Sequence, residues 1–166
     1  VGPSGNVTFE EVARVWHRNP EELPADIDPA GVEVTSGFRP KPDNSPFSYA
    51  THACIVSVDP ELGQVEILDY VISEDCGTIV NPMVVDGQII GGALQGVGTA
   101  LLEESRYDAD GQPLSSTFAD YTMPGSTQLP KLRLDHLVTP SPLTEYGVKG
   151  LGEGGAIPPP AAIANA

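Results

Sequence analysis

Cysteine, histidine and basic residues are scarce in this chain of 166 residues, and each shortage narrows the chemistry. Its two cysteines, Cys54 and Cys76, stand 22 positions apart. That spacing is neither a CxxC metal pair nor part of a disulfide-dense secreted framework. Two reduced thiols in a cytoplasmic protein are the simplest expectation. His17, His52 and His136 are isolated and do not form a ligand set of the kind a metal site needs. Ser126 and Ser141 lack the GxSxG surroundings of an activated serine. Only 8 lysines and arginines face 23 aspartates and glutamates, a net charge of −15. Such a surface repels phosphate backbones and anionic lipid, so neither nucleic acid nor membrane is an expected partner. No basic stretch followed by an apolar run opens the chain, so no signal peptide is expected.

What is abundant is glycine and proline, 18 and 17 residues and roughly a fifth of the chain. Without a triplet period, that excess describes a loop-rich globular piece and not collagen. The 40% of hydrophobic residues excludes a disordered acidic tail. Length suits a single domain spanning 1–166. Because it begins at Val1 and stops inside an apparent helix at 160–166, it reads as a piece truncated at both ends.

Thr8-Phe9-Glu10-Glu11 fits a capping box, and Phe9, Val12, Ala13 and Trp16 follow at helical spacing, which predicts a short helix over 9–17. The proline- and acid-rich stretch 19–46 predicts irregular connection, with one strand over 32–38. Residues 50–58 and 64–72 alternate in polarity around Asp59-Pro60-Glu61-Leu62-Gly63, predicting a hairpin. Asn81-Pro82 predicts a helix start, and the apolar run 83–104 a long helix. Tyr107 to Gln112 reads as a turn and 131–138 as a strand. The fold class expected is α+β, with antiparallel hairpins packed on a long glycine-rich helix.

That helix carries Gly87, Gly91, Gly92, Gly96 and Gly98. Each glycine costs about 1 kcal/mol against alanine in a helix interior, so something must approach this backbone closely. Asp86, Gln88 and Gln95 argue against a membrane span. Two readings stay open: a core helix packed tightly on another element, or a helix whose Gln88 and Gln95, seven apart and on one face, present amides to a polar ligand. A second feature is Gly147-Val148-Lys149-Gly150-Leu151-Gly152-Glu153-Gly154-Gly155. Residues 150–155 match GxGxxG literally, but no buried strand leads into them and no acidic ribose partner follows. The segment does offer a lone carboxylate, Glu153, between glycines. That suits a general base in a tight cavity, and equally a turn with a solvated glutamate.

Four motifs occur in one order: Asp75-Cys76-Gly77-Thr78-Ile79-Val80-Asn81-Pro82; Asp86-Gly87-Gln88 through Gly98; Asp120-Tyr121-Thr122-Met123-Pro124; and Gly147 to Gly155 followed by Pro160-Ala161-Ala162. Together they resemble the C-terminal part of the molybdopterin-binding large subunit of the xanthine dehydrogenase/aldehyde oxidase family, most of all its carbon-monoxide-dehydrogenase-type members. The resemblance implies a molybdenum hydroxylase that oxidises an aldehyde, an N-heterocycle or carbon monoxide with water-derived oxygen, and passes electrons to iron–sulfur and FAD partners. It implies Glu153 as the base that takes a proton from a metal-bound hydroxyl. It also implies Gln88 and Gln95 beside a molybdopterin (in its cytosine dinucleotide form), and Lys149, Gly150 and Gly152 lining the approach to the metal. No residue of this chain is expected to ligate the metal. Thr144-Glu145-Tyr146 stand where many members carry Asn-Pro-Leu, so the resemblance does not carry the substrate over. The family's other cofactor-contacting segments lie upstream, so the piece alone is expected to bind no cofactor. The competing expectation is a non-catalytic domain that completes or scaffolds a partner molybdopterin-binding subunit.

Overall fold

The computed structural model describes residues 5–27, 35–39 and 46–166. It divides into two compact units, Val1–Lys41 and Pro42–Ala166. In the first, helix α1 spans Phe9–Arg18, and the Thr8 capping box is present in both directions. A 3-10 turn over Pro20–Glu22 follows. Of the strand expected at 32–38, residues 32–34 lie outside the described residues, and 35–38 form no strand.

The second unit is built on a three-stranded sheet in the order β1-β2-β3. Strands β1 (Tyr49–Asp59) and β2 (Gln64–Asp75) form the expected antiparallel hairpin. Its turn is closed by the Asp59 carboxylate, which accepts from the Glu61 and Leu62 amides at 2.8 and 3.1 Å. Gly63 then takes φ 67°, the left-handed conformation that glycine adopts at little cost. A bulge at Ile55/Val56 shifts the register. Helix α2 spans Pro82–Leu101, with the Asn81 side chain accepting from Val84 N as its cap. It ends three residues before the expected limit, because the Leu102 and Glu103 amides both fold back onto the Gly98 carbonyl.

Strand β3 (Leu132–His136) lies within the stretch expected as a strand and pairs parallel with β2, in addition to the antiparallel hairpin. The physical reason is α2 itself. A helix inserted between two strands returns the chain to the end of the sheet it left, so the second strand runs in the same sense. Helix α3 spans Pro158–Asn165 and packs on α2 and β1. The core joins Tyr70 and Ile72 of β2 to Val85, Ile89, Ala93 and Val97 of α2, with Cys76 and Ile163. Those α2 residues repeat every four positions, one face of a helix. Fully burying an Ile is worth about 1.5–3 kcal/mol, so Ile72 and Ile89 anchor α2 to the sheet. Cys54 is only half-buried, packed at the edge of this core. Among the described residues no helix is long and apolar enough to cross a membrane.

Candidate functional site

The five helix glycines divide into two sets. A Cβ on Gly92 would stand 2.9 Å from Ala156 N, one on Gly96 2.8 Å from Pro159, and one on Gly98 2.6 Å from Pro124. These three are glycine because the chain itself lies on the helix. Gly155 completes the contact from the other side, its Cβ position 2.4 Å from the Ile89 carbonyl. Gly87 and Gly91 differ: a Cβ there would meet nothing within 4 Å. They are one turn apart and face open space.

That open space is a cavity of about 430 Å³ lined by Gly87, Gln88, Gly91, Gln95, Gly152 and Glu153, among others. The structure thus brings the lone carboxylate and both glutamines around one hollow, with α2 as its floor and residues 152–157 as its wall. Gln88 ties floor to wall, its Nε2 donating to the Gly152 carbonyl at 2.9 Å. Gln95 and Glu153 are exposed.

Lys149 and Gly150 do not line this cavity. The Lys149 ammonium turns away and donates to Asp75 Oδ1 at 3.1 Å, with both side chains at least nine-tenths buried, and lies 4.7 Å over the Tyr49 ring. Lys149 is four residues from Glu153 in sequence, yet its side chain is spent on Asp75 and not on the cavity. Asp75 Oδ1 also accepts from the Gly77 and Thr139 amides at 2.8 and 3.2 Å. Burial alone would raise this carboxyl, but hydrogen bonds from Thr139, Gly77 and Lys149 together hold it well below the usual carboxylate range. With Lys149 N donating to the Cys76 carbonyl and Thr78 N to that of Gly147, this node fixes the loop to the end of β2.

A second, more apolar hollow of about 370 Å³ lies across the Gln88–Gly152 bond, lined by Cys76, Val80, Val84, Leu151 and Lys149 among others. A larger one, about 860 Å³, lies near Leu101 and the β1–β2 turn and holds none of the candidate site residues. Among the described residues no cluster of three or more His, Cys, Asp or Glu could hold a metal ion. His136 instead pairs with Asp86 at 2.8 Å, and His52 meets the Tyr70 hydroxyl at 3.0 Å. Sequence reasoning missed Glu74, which sits 1% exposed on the core-facing side of β2. Strand parity was the available signal, since 74 shares a face with the buried 70 and 72.

A hollow floored by bare helix backbone and lined by two amides and one carboxylate can receive a hydrogen-bonding ligand. A family model described as a molybdopterin cofactor-binding domain matches residues 1–130, and the chain belongs to that family. It is 40% identical over 163 residues to the nicotine 6-hydroxylase large subunit of Paenarthrobacter nicotinovorans, covering 96% of this chain and 19% of that one. It is 33% identical over 146 residues to the carbon monoxide dehydrogenase large chain of Afipia carboxidovorans, covering 88% and 17%. A crystal structure of a Cu,Mo-CO dehydrogenase superposes with TM-score 0.77 at 30% identity, over 96% of this chain and 20% of that one. The chain therefore spans about a fifth of the length of these relatives, and the recognised family is that of the molybdopterin-binding large subunits.

The cavity suits the cofactor in its own terms. Gly87 and Gly91 leave bare backbone where a Cβ would intrude, and Gln88 and Gln95 bring amides able to donate and accept toward a pterin ring.

Proposed function

We propose that this chain supplies one wall of the cofactor cradle and the proton-accepting carboxylate of a molybdenum hydroxylase. The observation that carries this reading is the meeting of Glu153, Gln88 and Gln95 around one glycine-floored cavity. In the complete enzyme the cofactor is a molybdopterin, in its cytosine dinucleotide form. Once bound, it supplies a Lewis acid and an electron sink. The chain's own residues do the rest. Gln88 and Gln95 orient the pterin through their amides, with Gln88 held by the Gly152 carbonyl. Gly87 and Gly91 admit its face. Glu153, on a loop pinned by the Asp75–Lys149 pair, accepts the proton released as water-derived oxygen is committed to the substrate carbon. Positioned proton transfer of this kind contributes typically about 10²–10⁴-fold in rate.

The relatives named for nicotine and carbon monoxide support a small-molecule substrate of the same range, an N-heterocycle or carbon monoxide, and the family resemblance adds an aldehyde. Their designations as large subunit and large chain support an assembly, in which iron–sulfur and FAD partners carry electrons onward and the rest of the molybdopterin-binding subunit closes the cradle. The net charge of −15 suits a cytoplasmic complex that avoids nucleic acid and anionic lipid. By itself the chain provides part of the cradle and retains no molybdenum after purification.

The test is Glu153→Gln in the complete enzyme. Turnover is expected to vanish while molybdenum content, measured by elemental analysis, stays at the unsubstituted level. Retained turnover would remove Glu153 from the role of base.

A further inference from the structure

The segment that carries Glu153 is seated on both sides of it. Before it, the Lys149 amide donates to the Cys76 carbonyl at 2.9 Å, and Leu151 packs against the edge of the core. After it, Gly155 lies so close to α2 that a Cβ would stand 2.4 Å from the Ile89 carbonyl, and the Ala156 amide donates back to the Glu153 carbonyl at 3.0 Å. Gly152, immediately before the glutamate, is different. A Cβ there would meet nothing within 4 Å, and its φ is not positive. Its glycine is therefore required neither by a close neighbour nor by a left-handed turn. What it does contribute is freedom: a glycine on one side lets the following peptide turn more easily than any other residue would. That peptide carries the Glu153 amide, so packing alone does not aim the carboxylate.

Gln88 meets this need. Its Nε2 donates to the Gly152 carbonyl at 2.9 Å, the one side-chain hydrogen bond to residues 150–155 among the described residues. The bond falls on the peptide that joins Gly152 to Glu153. Because that peptide is planar, holding its carbonyl also holds the Glu153 amide and the axis about which the glutamate turns. The donor stands on a fixed support, since the adjoining Ile89 and, three residues earlier, Val85 are buried against the sheet. An amide has two N–H hydrogens and an oxygen, so one hydrogen can hold the loop while the rest of the group faces the cavity that Gln88 lines.

We propose that Gln88 is the positioning residue of the Glu153 carboxylate: by holding the Gly152–Glu153 peptide, it aims the base at the guest in the cavity. The inference rests on the reading of Glu153 as base. It gives Gln88 a task beyond orienting the pterin, because the side chain that meets the guest also sets the group that works beside it. Gln95 has no such task. It lines the same cavity, but its side chain makes no bond to the loop among the described residues. The net worth of one hydrogen bond corresponds to about a two- to tenfold shift between held and unheld loop, which sets the size of the effect.

The experiment uses the complete cofactor-loaded enzyme with Gln88→Met, Gln88→Glu and Gln95→Met. Rates are expressed as kcat per bound molybdenum, so altered loading does not enter. Gln88 is exposed, and folding is not at stake. Methionine keeps the length without a donor; an ionised glutamate keeps the length and an oxygen but has no hydrogen to give. Gln95→Met removes an amide from the same cavity and measures the cost of a lost cofactor contact by itself. Both Gln88 variants are expected to fall about fivefold or more below Gln95→Met in kcat per molybdenum, with KM within about twofold of the unsubstituted enzyme. Either Gln88 variant level with Gln95→Met, or a loss carried by KM, overturns the proposal. A Glu153→Gln enzyme run alongside separates the two ideas. If it turns over, the base assignment fails and the positioning role with it. If it is dead while the Gln88 variants match Gln95→Met, only the positioning role fails.

Discussion

The Asp75–Lys149 pair decides whether the Glu153 loop is held or free. Both side chains are more than nine-tenths buried, so each charge depends on the other for compensation. Breaking a buried pair by removing one partner typically costs about 3–5 kcal/mol, because the remaining charge is stranded. Lys149→Met is therefore expected to lower stability by that order in denaturant unfolding. The double variant Asp75→Asn/Lys149→Met should recover part of the loss, since it strands nothing. A double variant no better than the single one would show that the pair does not act as a unit. The pH dependence has a definite sign. Asp75 is held below its ordinary range in the fold, so its contribution is present above about pH 4 and is lost as pH falls further. Asp75→Asn should flatten that acid limb. None of this was legible in sequence: Lys149 was placed beside the metal because Glu153 is four residues away, and only the backbone path shows that it points to β2.

At the scale of the element, α2 offers a paired test. Gly91 and Gly96 both lie inside the same helix but differ in surroundings. Alanine at 96 would place its methyl 2.8 Å from Pro159, too close for a rigid neighbour to accommodate, and should destabilise the chain by about 1–3 kcal/mol. Alanine at 91 meets nothing, and removing a helix glycine should stabilise the chain by up to about 1 kcal/mol. The same methyl stands in the cavity, so Gly91→Ala is expected to fold better and to load less molybdenum in the complete enzyme. Thermal unfolding and metal content read the two effects separately; equal loading would mean the cofactor does not lie on this part of the helix. The helix, its Asn81 cap and the β1–β2 hairpin were readable from periodicity and turn chemistry because those signals are local. The glycines were readable as close approach but not as two kinds, since what approaches, loop or guest, is set by residues some 60 positions away. The sense of β3 was not readable for the same reason: it follows from where α2 lies, not from the 131–138 pattern.

For the molecule as a whole, a half-buried histidine on β1 and a buried glutamate on β2 pull stability in opposite directions with pH. His52 packs edge-on against Tyr70, ring centroids 5.6 Å apart, with Nε2 buried and unpartnered. Burial lowers it to about 4, so the fold holds it neutral while the unfolded chain protonates near 6.5. The folded state then binds fewer protons, and stability present above about pH 6.5 is lost as pH falls toward 4. Glu74 is raised, so the fold holds more protons than the unfolded chain, and its contribution is lost as pH rises from about 4.3 through the folded value. Where the two windows overlap, above about pH 4.3 and below about 6.5, the contributions oppose each other and the pH dependence they give together is shallow. Chemical denaturation followed across that range separates them. His52→Phe should expose the fall in stability that Glu74 causes as pH rises above about 4.3, and Glu74→Gln the rise that His52 causes between about pH 4 and 6.5. The opposite signs are the test: if both substitutions changed the slope in the same direction, one of the two groups would not titrate in the fold as its burial requires.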